Sequence, residues 1–146
     1  DIAATESTLA TARKVGEQFV DPVLLSHEPA VSGMTALAKG QLHTAEEQFK
    51  RGIELLSNAD LREPARLFGH DPAVASLGYS TISAWLLGYP DEARRRGKLA
   101  MARSVSIGIP HVLAHGLDQA LTAENLLGDL QAARSLANAL HDCMEK

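Results

Sequence analysis

The stretch SAWLLGYPDEARRRGKLAMA, Ser83 to Ala102, reads as the end of an apolar helix, an abrupt Gly-Tyr-Pro, and the start of a helix rich in alanine and charge. The same restart occurs twice more, in AKGQLHTAEEQFKRGIEL from Ala38 and in LLGDLQAARSLANAL from Leu126. Each copy has a glycine (Gly40, Gly88, Gly128) followed five positions later by an alanine (Ala45, Ala93, Ala133). Glycine ends a helix in the left-handed conformation that other residues resist. Pro90 stands where a second helix begins, a position that tolerates proline, and Asp129 is a good N-cap. The alanine then falls one turn into the new helix, where a small side chain lets two helices approach closely. Each copy is therefore an antiparallel helical hairpin.

The glycines are 48 and 40 residues apart, a period that points to a helical solenoid. The pattern predicts helices at about 5–19, 23–39, 42–57, 73–87, 90–107, 111–127 and 130–144. No sustained apolar/polar alternation marks a strand. The expected fold is all-α, a right-handed α–α superhelix of about seven helices in one domain over residues 1–146. Its hairpins cover about 23–57, 73–107 and 111–144, and residues 1–20 read as the second helix of a truncated repeat. The chain opens at Asp1 inside a helical pattern, so it reads as a piece of a longer protein.

Composition agrees with this architecture. Of the 146 residues, 45% are hydrophobic but only 4% aromatic, so the core has to be aliphatic and alanine-rich. The formal net charge of −4 argues against nucleic acid, whose phosphates need a basic surface. The one cysteine, Cys143, excludes an internal disulfide and suits a reducing cytoplasm. The longest apolar runs fall far short of the ~18 residues of a membrane span.

Four pairs on the second helices put an acid four residues before a base: Glu46/Lys50, Glu47/Arg51, Asp91/Arg95 and Glu92/Arg96. RRRGK, Arg94 to Lys98, is accordingly expected to be a solvated face paired to its own acids rather than a binding patch. The long connection NADLREPARLFGHDP, Asn58 to Pro72, holds a candidate short helix in EPARLF and ends in Asp71-Pro72, an N-cap with proline at the first helical position.

The glycine/alanine pattern resembles the tetratricopeptide repeat, which favours Gly at the hairpin turn, Ala five later, an aromatic nine later and a small residue twelve later. These fall on Gly40, Ala45, Phe49 and Gly52, then on Gly88, Ala93, Gly97 and Ala100, then on Gly128, Ala133, Ala137 and Leu140. The last two units lack the aromatic, and the spacings exceed the usual ~34 residues. A wider likeness covers most of the chain. SGMTALAKGQLHTAEEQFKRGIEL, LFGHDPAVASLGYSTISAWLLGYPDEA and MARSVSIGIPHVLAHGLDQA resemble the C-terminal repeat region of a bacterial multidomain family. Members join a class III adenylate/guanylate cyclase domain, a P-loop ATPase domain and a tetratricopeptide-like tail. Gly69, Asp71, Pro72, Trp85, Leu86, Leu87, Gly88, Tyr89 and Pro90 carry the match. The resemblance implies a cyclase as parent, not cyclase activity here: the phosphate loop Gly-x-x-x-x-Gly-Lys-Ser/Thr is missing from the sequence.

The resemblance further implies that first helices line a concave face. The positions carried over are His27, Met34 and Leu37 from the first unit, Ile82 and Trp85 from the second, and His115, Thr122 and Asn125 from the third, with Asp118 beside them. This mixed surface suits an extended peptide or a partner helix. Trp85, the only tryptophan, is either an interface anchor or a core filler. His111, His115 and Asp118 share a helix face, but a metalloprotease would need Glu where Val112 stands, and no metal or cofactor is expected. Cys143 reads as a passive thiol.

The sequence thus points to a non-catalytic scaffold domain in a cytoplasmic signalling protein. Its expected partner is a protein or peptide, or neighbouring domains of the same chain, with no nucleic acid and no membrane; a homodimer is compatible with it. The rival readings are a small-molecule-sensing regulatory module and, behind it, a free-standing enzyme.

Overall fold

Three glycines with positive φ stop the first helices of the three hairpins: Gly40 at 72°, Gly88 at 85° and Gly128 at 74°. The closing bonds are the same each time. Gly40, Gly88 and Gly128 donate their N–H to Leu37, Trp85 and Asn125 carbonyls, at 2.9, 3.0 and 3.2 Å. The next residues, Gln41, Tyr89 and Asp129, donate to Ala36, Ala84 and Glu124, at 2.9, 2.9 and 3.0 Å. This is the Schellman closure, and it requires the left-handed glycine. The carbonyls of Gln41, Tyr89 and Asp129 then accept from the N–H of Ala45, Ala93 and Ala133, which starts the second helix. Asp129 caps its helix through a bond from Ala132 N–H at 3.1 Å, as expected.

The computed structural model describes residues 2–19, 22–56, 65–66 and 69–145. These form helices α1 (Ile2–Phe19), α2 (Pro22–Ala38), α3 (Leu42–Leu55), α4 (Pro72–Leu86), α5 (Pro90–Ile107), α6 (Pro110–Leu127) and α7 (Leu130–Met144), and no strand. The expected helices are all present, displaced by at most three residues at an end. Of EPARLF, Ala65 and Arg66 are helical; the other four residues lie outside the described ones, as do residues 58–62 of the connection. Ala65 itself is buried in the central core beside Val74, Leu77, Ala100, Ile107 and Val112.

Helices α2–α3, α4–α5 and α6–α7 pack as hairpins, and each hairpin packs on the next through α3–α4 and α5–α6. First helices also touch one another, α2 with α4 and α4 with α6, whereas no comparable packing joins α3 to α5 or α5 to α7 among the described residues. The first helices therefore form the tighter, inner layer and the second helices the splayed outer one. Alanine and glycine make this spacing achievable. Ala45 and Ala93 are fully buried, Ala133 nearly so. A Cβ on Gly97 would sit 2.7 Å from the Ala123 methyl, and one on Gly116 would collide with Ser104. The aromatic position of the first unit, Phe49, fills a second core with Ala36 and Ala45.

Candidate functional site: two faces of the helical stack

The inner layer brings together a row of polar residues from two first helices, α2 and α6, and the connection before α4. Asp71 caps α4 by accepting the Val74 N–H at 2.8 Å and is completely buried. That places His70 at the mouth of the layer, where its ring meets His27 of α2 edge-on, 4.9 Å between centroids. His115 of α6 faces the same region. Burial pushes its imidazole below the ordinary histidine value, against the opposing pull of the Asp118 carboxylate; His70 adds to the lowering and Asp71 opposes it. Arg103 of α5 neutralises Asp71 with bonds of 3.1 to 3.2 Å.

The remaining positions proposed for this face are spread out. Met34 and Leu37 are half-buried against Ala36, Ala45 and Phe49. Ile82 and Thr122 are half-buried, and Asp118 and Asn125 are exposed. Trp85 is 39% exposed, in company with Leu86 at 50% and Tyr89 at 61%, at the tip of the central hairpin. A tryptophan filling the core would be covered; this one presents an apolar surface to solvent. His111 turns away from the row, its Nε2 lying 3.5 Å from the Ala65 carbonyl. Among the described residues, no three His, Cys, Asp or Glu side chains converge as metal ligands. Cys143 packs against the Pro110 carbonyl, with Sγ 3.6 Å away. No described helix is long and apolar enough to cross a membrane.

The arginine run corrects the sequence reading. Arg94 to Arg96 do not form a self-paired solvated face; two of the three reach other helices. Arg96 bonds both oxygens of Glu46 on α3, at 2.7 and 2.8 Å, and the Ser80 carbonyl on α4 at 3.0 Å. Arg94 pairs at 3.0 Å with Glu124 of α6, a buried carboxylate. Arg51 likewise crosses to Glu28 on α2, at 3.1 Å, instead of pairing with Glu47. Of the four expected local pairs only Glu92–Arg96 forms, at 2.8 Å; Arg95 takes Glu92 rather than Asp91, at 2.7 Å, and Lys50 takes Glu54 at 3.9 Å. Local spacing lost because a partner across a helix boundary is desolvated, and a charge-assisted bond there is stronger than one in water.

The outer layer carries a trough of about 520 Å³ between α3 and α5, with Leu77 and Ser80 of α4 in its floor. Glu46 and Arg96 bridge it. Burial alone would raise the Glu46 carboxyl; the bonds from Arg96 and from the Ser83 hydroxyl outweigh that and hold it below the usual carboxylate range. The Arg95 guanidinium pulls Glu92 down to about 2; burial opposes it, and the bond from Arg96 adds to the lowering. Nothing in the spacing of the sequence signals this trough, since its walls are 50 residues apart.

Comparison of the chain with protein-family models, characterised proteins and solved structures finds no match.

Proposed function

We propose that the chain is a non-catalytic helical-repeat domain that binds a protein or peptide. The observation that carries this reading is the exposed cluster of Trp85, Leu86 and Tyr89 at the tip of the central hairpin. Tryptophan and tyrosine are the residues most enriched among interface anchors. The surface depressions are open troughs rather than enclosed chambers, which favours an extended partner over a small ligand. The resemblance to the tail of multidomain cyclase–ATPase proteins makes neighbouring domains of the same polypeptide the first partners to test, with regulation of a cytoplasmic signalling enzyme as the setting.

Two experiments test the proposal. Affinity capture with the parent and with Trp85→Ala, matched for helicity, should retain one defined protein with the parent and lose it with the variant. Identical capture by both would remove the cluster from the interface. The pure domain, given ATP or GTP with Mg²⁺ or Mn²⁺, should form no cyclic nucleotide; turnover would overturn the non-catalytic reading.

A further inference from the structure

Helix α1 is held differently from the other helices. Among its described side chains none is buried: Thr5 and Leu9 are half-covered, and Ile2 and Val15 stand 45% and 43% exposed. It packs on α2 and makes no comparable packing elsewhere among the described residues. Even there the fit is loose. A hollow of about 470 Å³ lies between the two helices, with Thr5, Thr8 and Leu9 on one wall and His27 and Val31 on the other. Leu9, the one half-covered apolar side chain among those described, borders a second hollow of about 230 Å³ beside Thr35 and Gln48. Atoms that face a void lose the dispersion contacts that a packed interface supplies.

Helix α2 has its own anchorage. Pro29 and Ala30 lie against Gly52 of α3, and Ala36 packs with Ala45 and Phe49, all of them buried. Helix α1 is also a weak helix by itself. Three threonines, a valine and a glycine lower its helix propensity, and the Thr8 and Thr11 hydroxyls turn back onto the Ala4 and Ser7 carbonyls instead of reaching α2. Ala3, Thr5 and Arg13 have further interactions, none at a buried position, and bonds open to water add little. A helix of this composition draws its stability from a packed face, and the described side chains of α1 supply little of one.

We propose that α1 is a releasable cover. It undocks from α2 and unravels while the three hairpins stay folded, and its release opens the α2 end of the inner row. Val31, already 37% exposed beneath it, and the half-buried His27 are the side chains uncovered. His27 is also the one that meets His70 edge-on, so release of α1 reaches the connection before α4 through a ring contact. A segment that opens at small cost while the core stays shut is the local unfolding from which gates and regulated contacts are built. The proposal concerns a different face from the Trp85 cluster and does not depend on the protein-binding reading.

Amide hydrogen exchange on the 146-residue chain tests it. Amides of residues 6–15 should exchange about 100-fold faster, or more, than those of residues 30–38 and 93–104. Equal protection in the two sets overturns the proposal. Ala10→Pro, at an exposed position in the middle of α1, supplies the second reading. Helicity should fall by the α1 contribution while the melting temperature of the hairpins stays within about 1 °C of the parent. A drop of several degrees would make α1 an integral part of the stack and overturn the proposal. In the same variant the ring signals of His27 should shift and those of His141, on the last helix, should not. A His27 signal indifferent to Ala10→Pro would overturn the opening of the inner row.

Discussion

Arg96 of α5 grips both carboxylate oxygens of Glu46 on α3, at 2.7 and 2.8 Å, across 50 positions of sequence. The bond joins the first hairpin to the second. The Arg96 side chain is 18% exposed, Arg95 beside it 61%. Arg96→Ala should therefore cost about 1–3 kcal/mol, the penalty for stranding a desolvated partner reduced for partial exposure. Arg95→Ala should cost no more than about 0.5 kcal/mol. Thermal melts of the two variants decide it, and equal melting temperatures would refute a bridging role.

Ala93 is fully buried on the packed side of α5. Ala93→Leu overpacks that contact and should destabilise by about 1–3 kcal/mol, several degrees in melting temperature. Gly97→Ala is the sharper case. In an isolated helix it would gain about 1 kcal/mol. Here the new methyl would meet that of Ala123 at 2.7 Å, so a loss is expected. A gain in measured stability would mean that α5 and α6 are further apart than described.

Acid should loosen the bridge between hairpins. Glu46 and Glu92 have folded values below the ordinary carboxylate value of 4.5, Glu92 at about 2. Between those values the unfolded chain binds more protons, so their contribution is present above about pH 4.5 and is lost as pH falls toward 2. Denaturant midpoints across that range should fall more steeply for the parent than for Arg96→Ala, in which Glu46 loses its guanidinium while Glu92 keeps that of Arg95. Parallel curves would contradict the assignment.

His115 works at a higher pH. Its folded value lies below 6.5, with His70, Asp71 and Asp118 as the charged neighbours. The unfolded chain is then the better proton acceptor as pH falls below 6.5, and stability declines there. His115→Gln should flatten the stability profile between about pH 7.5 and about pH 5.5. An unchanged slope would assign the decline to other groups.

The fold was legible because its determinants are local. A glycine at positive φ, the two bonds that close on it and an alanine one turn later lie within ten residues, and Gly40, Gly88 and Gly128 repeat them. The Asp71 cap was legible for the same reason, being followed by Pro72. The partners of Arg51, Arg94 and Arg96 were not. Each had an acid at helical spacing, and only packing reveals that a different acid lies across a boundary in drier surroundings. The approach of His70 to His27 was hidden likewise, because it depends on how the connection returns to the stack. Exposure of Trp85 and Leu99 cannot be told from burial by residue type alone.

Helix α5 supplies the cations for acids that precede it in the chain, Arg96 for Glu46 and Arg103 for the fully buried Asp71. A ribosome releases those acids first. Until α5 emerges, the nascent α2–α4 segment holds a carboxylate at Asp71 with no counter-charge, and sealing it in the core is unfavourable. Synthesis order thus leaves Asp71 without its arginine until the helix carrying Arg103 is free of the exit tunnel. A truncation after Leu87 reproduces that waiting state permanently, so such a fragment should stay open.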